Sequence, residues 1–322
     1  MRNGSPRARI LGLLLAAFAV LLGATGCAGP GYDRTQQYFI AGGGIAGIYF
    51  NYGDQYAQAL HRELGISVSV SETNGSVDNL QRVASGRALL GFAQADTAAD
   101  AITGTGSFDT PLPLRAVARV YDESVQVVVP ADSEVREISD LAGRTVSLGS
   151  ATSGVQVIAS RVLAASGVAP DRIENPALGL DESIAALRRG EIAAFFWVGG
   201  FPTPSIERLA RTQRIRLLPI DAATVSRVNA RHSGVYRLTE FPVGTYGSET
   251  PTTTMTVPNY LVAAEDAPEA LITDATRTLF ASRATIARKV PAAELLDRRD
   301  AIFTAPLELH PGAAKYYVDA RS

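Results

Sequence analysis

Three polar loops hold most of the groups in this chain that could grip a small molecule. The first is Gly42-Gly43-Gly44-Ile45-Ala46-Gly47-Ile48-Tyr49, the second Glu72-Thr73-Asn74-Gly75-Ser76-Val77-Asp78-Asn79, and the third Gly149-Ser150-Ala151-Thr152-Ser153-Gly154-Val155. Each follows a strand-like run and precedes a helical pattern. In open α/β sheets ligands sit beyond the carboxyl ends of strands, where unpaired helix N-terminal amides favour negative charge. The first loop contains G-x-G-x-x-G as Gly42, Gly44 and Gly47. It lacks a convincing downstream acid, since Glu72 is the nearest candidate, so backbone amides cradling a carboxylate fit better than a dinucleotide. In the second loop, Thr73, Asn74, Ser76 and Asn79 could present hydroxyl and amide groups; equally, Asn74-Gly75 could be a plain turn with Ser76 capping the next helix. The third loop has no Gly-Lys-Ser/Thr ending, so it suits a small anion rather than ATP.

Further along, Gln94 and Asp96 end a strand-like run. The lone Trp197 stands beside the turn Gly199-Gly200-Phe201-Pro202-Thr203-Pro204, where it could wall a ligand. Arg119 could meet a solute carboxylate, or only Asp122 or Glu123.

Catalytic candidates are scarce. The three histidines are His61, His232 and His310, none beside a polar loop. There is no G-x-S-x-G, no H-E-x-x-H and one cysteine, Cys27. No metal, cofactor or enzymatic activity is expected. Lys and Arg number 30 against 32 Asp and Glu, a formal charge of −2 that offers nucleic acid no broad basic field.

Cys27 points to location. Arg2, Arg7 and Arg9 precede the apolar run 10–22, and Ala24-Thr25-Gly26 precede the cysteine. A basic start, a short apolar core and small residues describe an export signal. Ending at a cysteine, it reads as a lipoprotein signal over 1–26, with Cys27 lipidated and 27–37 a tether. An N-terminal anchor helix, or a signal cut elsewhere, is the alternative. Cleavage would leave 296 residues and move the formal charge to −5.

The remaining chain must build the elements that place the loops. Short β-like runs alternate with helical stripes: 38–40 before 48–64, 66–70 before 77–85, 89–93 before 97–102, 145–148 before 155–166, and 192–198 before 205–213. Helices are also expected at 181–189, 268–280 and 282–295. This order predicts an α/β protein with mainly parallel sheets. Extended stretches at 124–130 and 252–264 could carry the chain between two lobes. One would comprise 38–124 and 256–322, the other 125–255; a single doubly wound domain is the alternative.

The loop sequences above, taken in order with Gly91-Phe92-Ala93-Gln94-Ala95-Asp96, Leu141-Ala142-Gly143-Arg144-Thr145-Val146, the Trp197 segment and Leu309-His310-Pro311-Gly312, resemble the TAXI family of solute receptors of tripartite ATP-independent periplasmic (TRAP) transporters. The resemblance implies a type II periplasmic-binding-protein fold with two lobes and a central ligand cleft. With the signal ending at Cys27, the reading is a monomeric, lipid-anchored receptor outside the cytoplasmic membrane. Such a receptor would capture glutamate, glutamine or a C4–C5 diacid and pass it to a TRAP permease. Gly44, Ala46, Gly47, Tyr49, Asn74, Ser76, Asn79, Gln94, Ser150, Thr152, Ser153, Gly154 and Val155 would line the cleft, with Trp197 near it. A lipoprotein presenting solute to a sensor kinase, or an extracytoplasmic hydrolase, are the competing readings.

Overall fold

The computed structural model describes residues 31–320. The signal 1–26, the lipidation site Cys27 and the start of the tether 27–37 lie outside the described residues.

The first strands and helices alternate as the pattern demands. Strand β1 (Gln37–Ala41) leads to helix α1 (Ile48–Leu64), β2 (Ser67–Ser71) to α2 (Ser76–Ala84), and β3 (Leu90–Gln94) to α3 (Ala95–Thr103). Helix α1 buries Tyr49, Tyr52, Tyr56, Ala59 and Leu60, one stripe at helical spacing, and stops where Gly65 takes φ +68°. Every residue of β3 is buried, as befits a strand covered on both faces.

Strand β4 (Leu114–Pro130) is 17 residues long. Beyond it come β5 (Val146–Ser147), α4 (Gly154–Ala165), α5 (Leu180–Arg189), β6 (Ala194–Gly199), α6 (Pro204–Thr212), β7 (Ile215–Leu217), α7 (Ala222–Arg231), β8 (Arg237–Phe241) and β9 (Thr252–Ala264). The last two helices are α8 (Glu269–Ala287) and α9 (Pro311–Asp319).

The nine strands form one sheet, ordered β2-β1-β3-β9-β4-β6-β5, with β7 beside β4 and β8 beside β9. The expectation of mainly parallel pairing is corrected. β1 pairs parallel with β2 and β3, and β5 with β6, but β9 is antiparallel to β3, β4 and β8, and β4 to β6 and β7. The cause is the long pair at the centre. β4 runs past β3's neighbour β9 toward β6 and β7, and β9 returns against it. The β4/β9 register shifts between Arg119 and Tyr121, just before Pro258 pairs opposite Asp122. Pro lacks the amide a regular ladder needs.

Two further expectations change. The helices sought at 268–280 and 282–295 are the continuous α8 followed by a short 3-10 turn at Pro291–Leu295. Helix α7 and strand β8 have no counterpart in the sequence pattern, because β8 exposes most of its residues and shows no apolar alternation. Asp221 caps α7, its carboxylate accepting from the Thr224 amide at 2.6 Å. Among the described residues no helix is long and apolar enough to cross a membrane.

Candidate ligand-binding site

The three polar loops converge on a cavity of about 870 Å³. Its first wall is the glycine loop after β1. Gly43 has φ +68° and its amide donates to Thr73 Oγ1 at 2.8 Å. A Cβ at Gly42 would collide with Val70 Cγ1, so only glycine lets this loop approach β2. Gly44, Ala46, Gly47 and Tyr49 all line the cavity, as expected.

The second and third loops meet each other. Gly75, at φ +119°, caps α2, so Ser76 lies inside the helix rather than capping it. Ser153 caps α4, its Oγ accepting from the Gln156 amide. A Cβ on Gly75 would sit 3.4 Å from Ser153, and one on Gly154 would collide with Gln94 Oε1 and sit 2.7 Å from Ser76 Oγ. Two helix N-termini thus come together over Gln94 with no room for a side chain between them. Asn74, Ser76, Gln94, Ser150, Ser153, Gly154 and Val155 line the cavity here.

The floor is a buried polar cluster that sequence reasoning missed. Glu123, on β4, is 4% exposed and lines the cavity. Gln94 Nε2 donates to its Oε2 at 3.1 Å, and the Tyr121 hydroxyl donates to its Oε1 at 3.1 Å. Asn259 supplies a third hydrogen bond. Burial pushes the carboxyl up to about 7, against the lowering pull of these neutral partners. The Tyr49 hydroxyl donates to Asn259 Oδ1, and its ring stacks on Phe92 with centroids 5.4 Å apart. Gln94 itself is 2% exposed, and its Oε1 has no hydrogen-bond partner. A buried carbonyl left so is costly.

The far wall comes from β6 and the helices beyond it. Trp197 lines the cavity with Phe196, and its Nε1 is buried without a partner. Glycine at position 199 makes room, since a Cβ there would collide with Trp197 Nε1. Arg208, one turn into α6, is the one Arg or Lys among the described lining residues. Its Nη2 donates to Ser205 Oγ at 2.8 Å. Against it stand four lining carboxylates: Glu72, Glu123, Asp181 and Glu182.

Three expected residues do not line the cavity. Asn79 is fully buried behind it, accepting from the Thr73 hydroxyl and donating to the Phe92 carbonyl at 2.8 Å, so it braces the second loop. Thr152 is exposed at φ +60°, and its carbonyl accepts from the Asp78 amide at 3.4 Å. Arg119 turns to Asp122, at 2.8 Å, rather than into the cavity. Alternation along β4 was the available signal for Glu123: Tyr121, Glu123 and Val125 are buried while Asp122 and Ser124 are not. Arg208 gave less away, since only the helical step from Pro204 relates it to the Trp197 turn.

The histidines His310 and His61 serve structure. His310 caps α9, its Nδ1 accepting from the Gly312 amide at 3.1 Å, and His61 Nδ1 meets the Ile66 carbonyl at 2.9 Å. Among the described residues no group of three or more His, Cys, Asp or Glu side chains could hold a metal.

With the geometry in place, comparison with known proteins adds the family and the fold. Residues 40–320 match the model of the NMT1-like family. PhnD1 of Prochlorococcus marinus, solved with methylphosphonate, is 12% identical, with 89% of this chain and 96% of that one covered and a TM-score of 0.54. A putative L-cystine ABC transporter protein of Listeria monocytogenes is 13% identical over 82% of this chain and 99% of that one, with a TM-score of 0.52. The arginine-, lysine- and histidine-binding protein ArtJ of Geobacillus stearothermophilus is 13% identical over 79% and 94%, with a TM-score of 0.50. The fold is α/β, a curled mixed sheet with flanking helices, of the two-lobed type II periplasmic-binding-protein kind. The resemblance to TAXI receptors of TRAP transporters is corrected, because the family matched is the NMT1-like one and these similar folds come from other binding systems. The chain belongs to the NMT1-like family.

Proposed function

We infer that this protein is an extracytoplasmic receptor for a small carboxylate-bearing solute, with an amino acid first among candidates. The observation that carries this reading is the charge layout of the cavity. Among the charged lining residues described, one guanidinium, Arg208, stands against the carboxylates of Glu72, Glu123, Asp181 and Glu182. A zwitterion satisfies both signs, with its carboxylate toward Arg208 and its ammonium toward Glu123. A C4–C5 diacid would bring a second negative charge to the acidic side. The amino-acid branch of the sequence expectation, glutamate or glutamine, is therefore the better fit, and glutamine carries no extra charge.

The site residues proposed are Gly44, Ala46, Gly47, Tyr49, Asn74, Ser76, Gln94, Ser150, Ser153, Gly154, Val155 and Trp197, joined by Glu123 and Arg208. Lobes of 38–124 with 256–322, and of 125–255, would move about the crossings on β4 and β9. Solute that touches both lobes shifts the population toward the closed form. Lipid on Cys27 would hold the receptor at the membrane, and the partner proposed is a membrane transport complex of ABC type, as the putative L-cystine protein of similar fold suggests. A binding role also accounts for a cavity with hydrogen-bonding groups but no paired nucleophile and base.

Calorimetric titration with the twenty L-amino acids, C4–C5 diacids and neutral sugars tests the reading. One-site binding of an amino acid is expected, weakened about 10- to 100-fold by Arg208→Ala, the usual loss for a charge-assisted contact. Binding of a sugar and of no carboxylate would sink it.

A further inference from the structure

The cavity is larger than the charges on its wall require. Pockets of about 300–1,000 Å³ enclose drug-sized ligands, and a volume of about 870 Å³ stands near the top of that range. Glutamine would meet the charges and leave most of the space unfilled. The walls have little room to close further, because they already touch at three points. A Cβ on Gly75 would sit 3.4 Å from Ser153, one on Gly154 would collide with Gln94 Oε1, and one on Gly200 would collide with Ile48 Cδ1. The space left between these contacts is the space a solute has to fill.

Part of the lining is apolar and uncovered. Ile45 lines the cavity and is 58% exposed. It stands inside a turn in which the Gly47 amide donates to the Gly44 carbonyl at 2.9 Å. Turns ordinarily draw on Gly, Pro, Asn, Asp and Ser. The turn is braced from α1, where Asn51 Nδ2 donates to the Gly47 carbonyl at 2.9 Å. Ile48, Leu178 and Trp197 are half-buried and line the same cavity. Ile48 reaches Gly200, three residues after Trp197, so the isoleucines and the tryptophan belong to one end of the cavity. Apolar surface left open there is what an apolar part of a solute would cover.

We propose that the solute is an amino acid with a large aromatic side chain, its ring seated between the isoleucines of the glycine loop and Trp197, and that Ile45 sets this preference. The proposal deepens the amino-acid reading and rests on it. The carboxylate and ammonium keep the places offered by Arg208 and Glu123, and the ring takes the volume they leave. A ring covers Ile45 and gains from contact with the indole beyond the area it buries. A carboxamide or carboxylate in the same place would lose water against apolar side chains and find no partner there.

Calorimetry with L-phenylalanine, L-tyrosine, L-glutamine and L-glutamate tests this. Phenylalanine should bind the wild type at least about tenfold tighter than glutamine, the discrimination an apolar pocket gives for a few carbon atoms. Ile45→Ser should weaken phenylalanine about five- to tenfold, through the apolar area no longer buried, and leave glutamine within about twofold. Trp197 is the chain's one tryptophan, so its fluorescence is a second readout. Its emission should move to shorter wavelength as phenylalanine, which has no indole, saturates the site. Glutamine or glutamate bound tighter than both aromatic amino acids would overturn the inference and leave the receptor reading standing. So would equal losses for phenylalanine and glutamine in Ile45→Ser, the mark of a structural role, or emission that phenylalanine leaves unchanged. Binding of no amino acid would overturn both readings. The wild-type preference decides the matter if the variant fails to fold.

Discussion

Two buried polar clusters tie the segment around β3 and α3 to its neighbours, and they are built on opposite terms. Farther along α4 from the cavity, Arg161 Nη1 donates to Asp96 Oδ2 at 2.7 Å, Arg161 Nη2 pairs with Asp100, and the Tyr236 hydroxyl donates to Asp96 at 2.6 Å. Charge meets charge, and Asp96 is fully buried only because it is matched. At the cavity, Glu123 has neutral partners alone, and Gln94 Oε1 has none. The two clusters lie close in the chain: Gln94 immediately precedes α3, which carries Asp96, and Gly154 opens α4, which carries Arg161. The saturated cluster pairs every charge, whereas the unsaturated one holds a carboxyl by neutral partners and leaves a buried carbonyl without one.

The largest effect should come from the saturated side. Arg161→Met would strand Asp96 and Asp100 in the interior, and denaturant unfolding should show a loss of about 3–5 kcal/mol. A loss below about 1 kcal/mol would erase the contrast. On the open side the sign differs. The folded-state pKa of Glu123 lies above its ordinary 4.5, at about 7, so folding favours the protonated form. Stability from this group is fully present below pH 4.5, falls as pH rises, and has reached its floor just above 7. The difference should be on the order of 3 kcal/mol. Glu123→Gln should flatten that slope and raise stability at pH 8, read as unfolding free energy against pH.

A third change acts where the second and third loops meet. Gly154→Ala places a methyl where Gln94 Oε1 now lies, so solute affinity should drop at least about tenfold and overpacking should cost about 1–3 kcal/mol of unfolding free energy. Titration calorimetry and denaturant unfolding on one preparation read both. The smallest effect is expected at Arg119. Its pair with Asp122 is part-exposed, so Arg119→Ala should cost under about 1 kcal/mol and leave solute affinity within about twofold.

Much of the scaffold is written in local patterns. The tyrosine stripe of α1 and its Gly65 stop, the sequence of loop and helix, and the extended run of β9 can all be read from spacing. So can the three loops, because glycine and hydroxyl residues between a strand and a helix have few other uses. Antiparallel pairing at the centre cannot, since it depends on which strand the returning chain lies beside. Glu123 is hidden by its neighbours: a carboxylate in a charged run beside Arg119 and Asp122 looks solvated until the strand's alternation shows which face it takes. Asn79 misleads for the opposite reason. Its amide suits a ligand as well as it suits the Phe92 carbonyl, and only the packing chooses.

The most direct test is a crystal structure of the protein grown with the amino acid that calorimetry selects. Solute should occupy the 870 Å³ cavity, its carboxylate bonded to Arg208 and its ammonium toward Glu123. Solute bound outside the cavity, or lying within it with Arg208 and Glu123 both untouched, would contradict this reading.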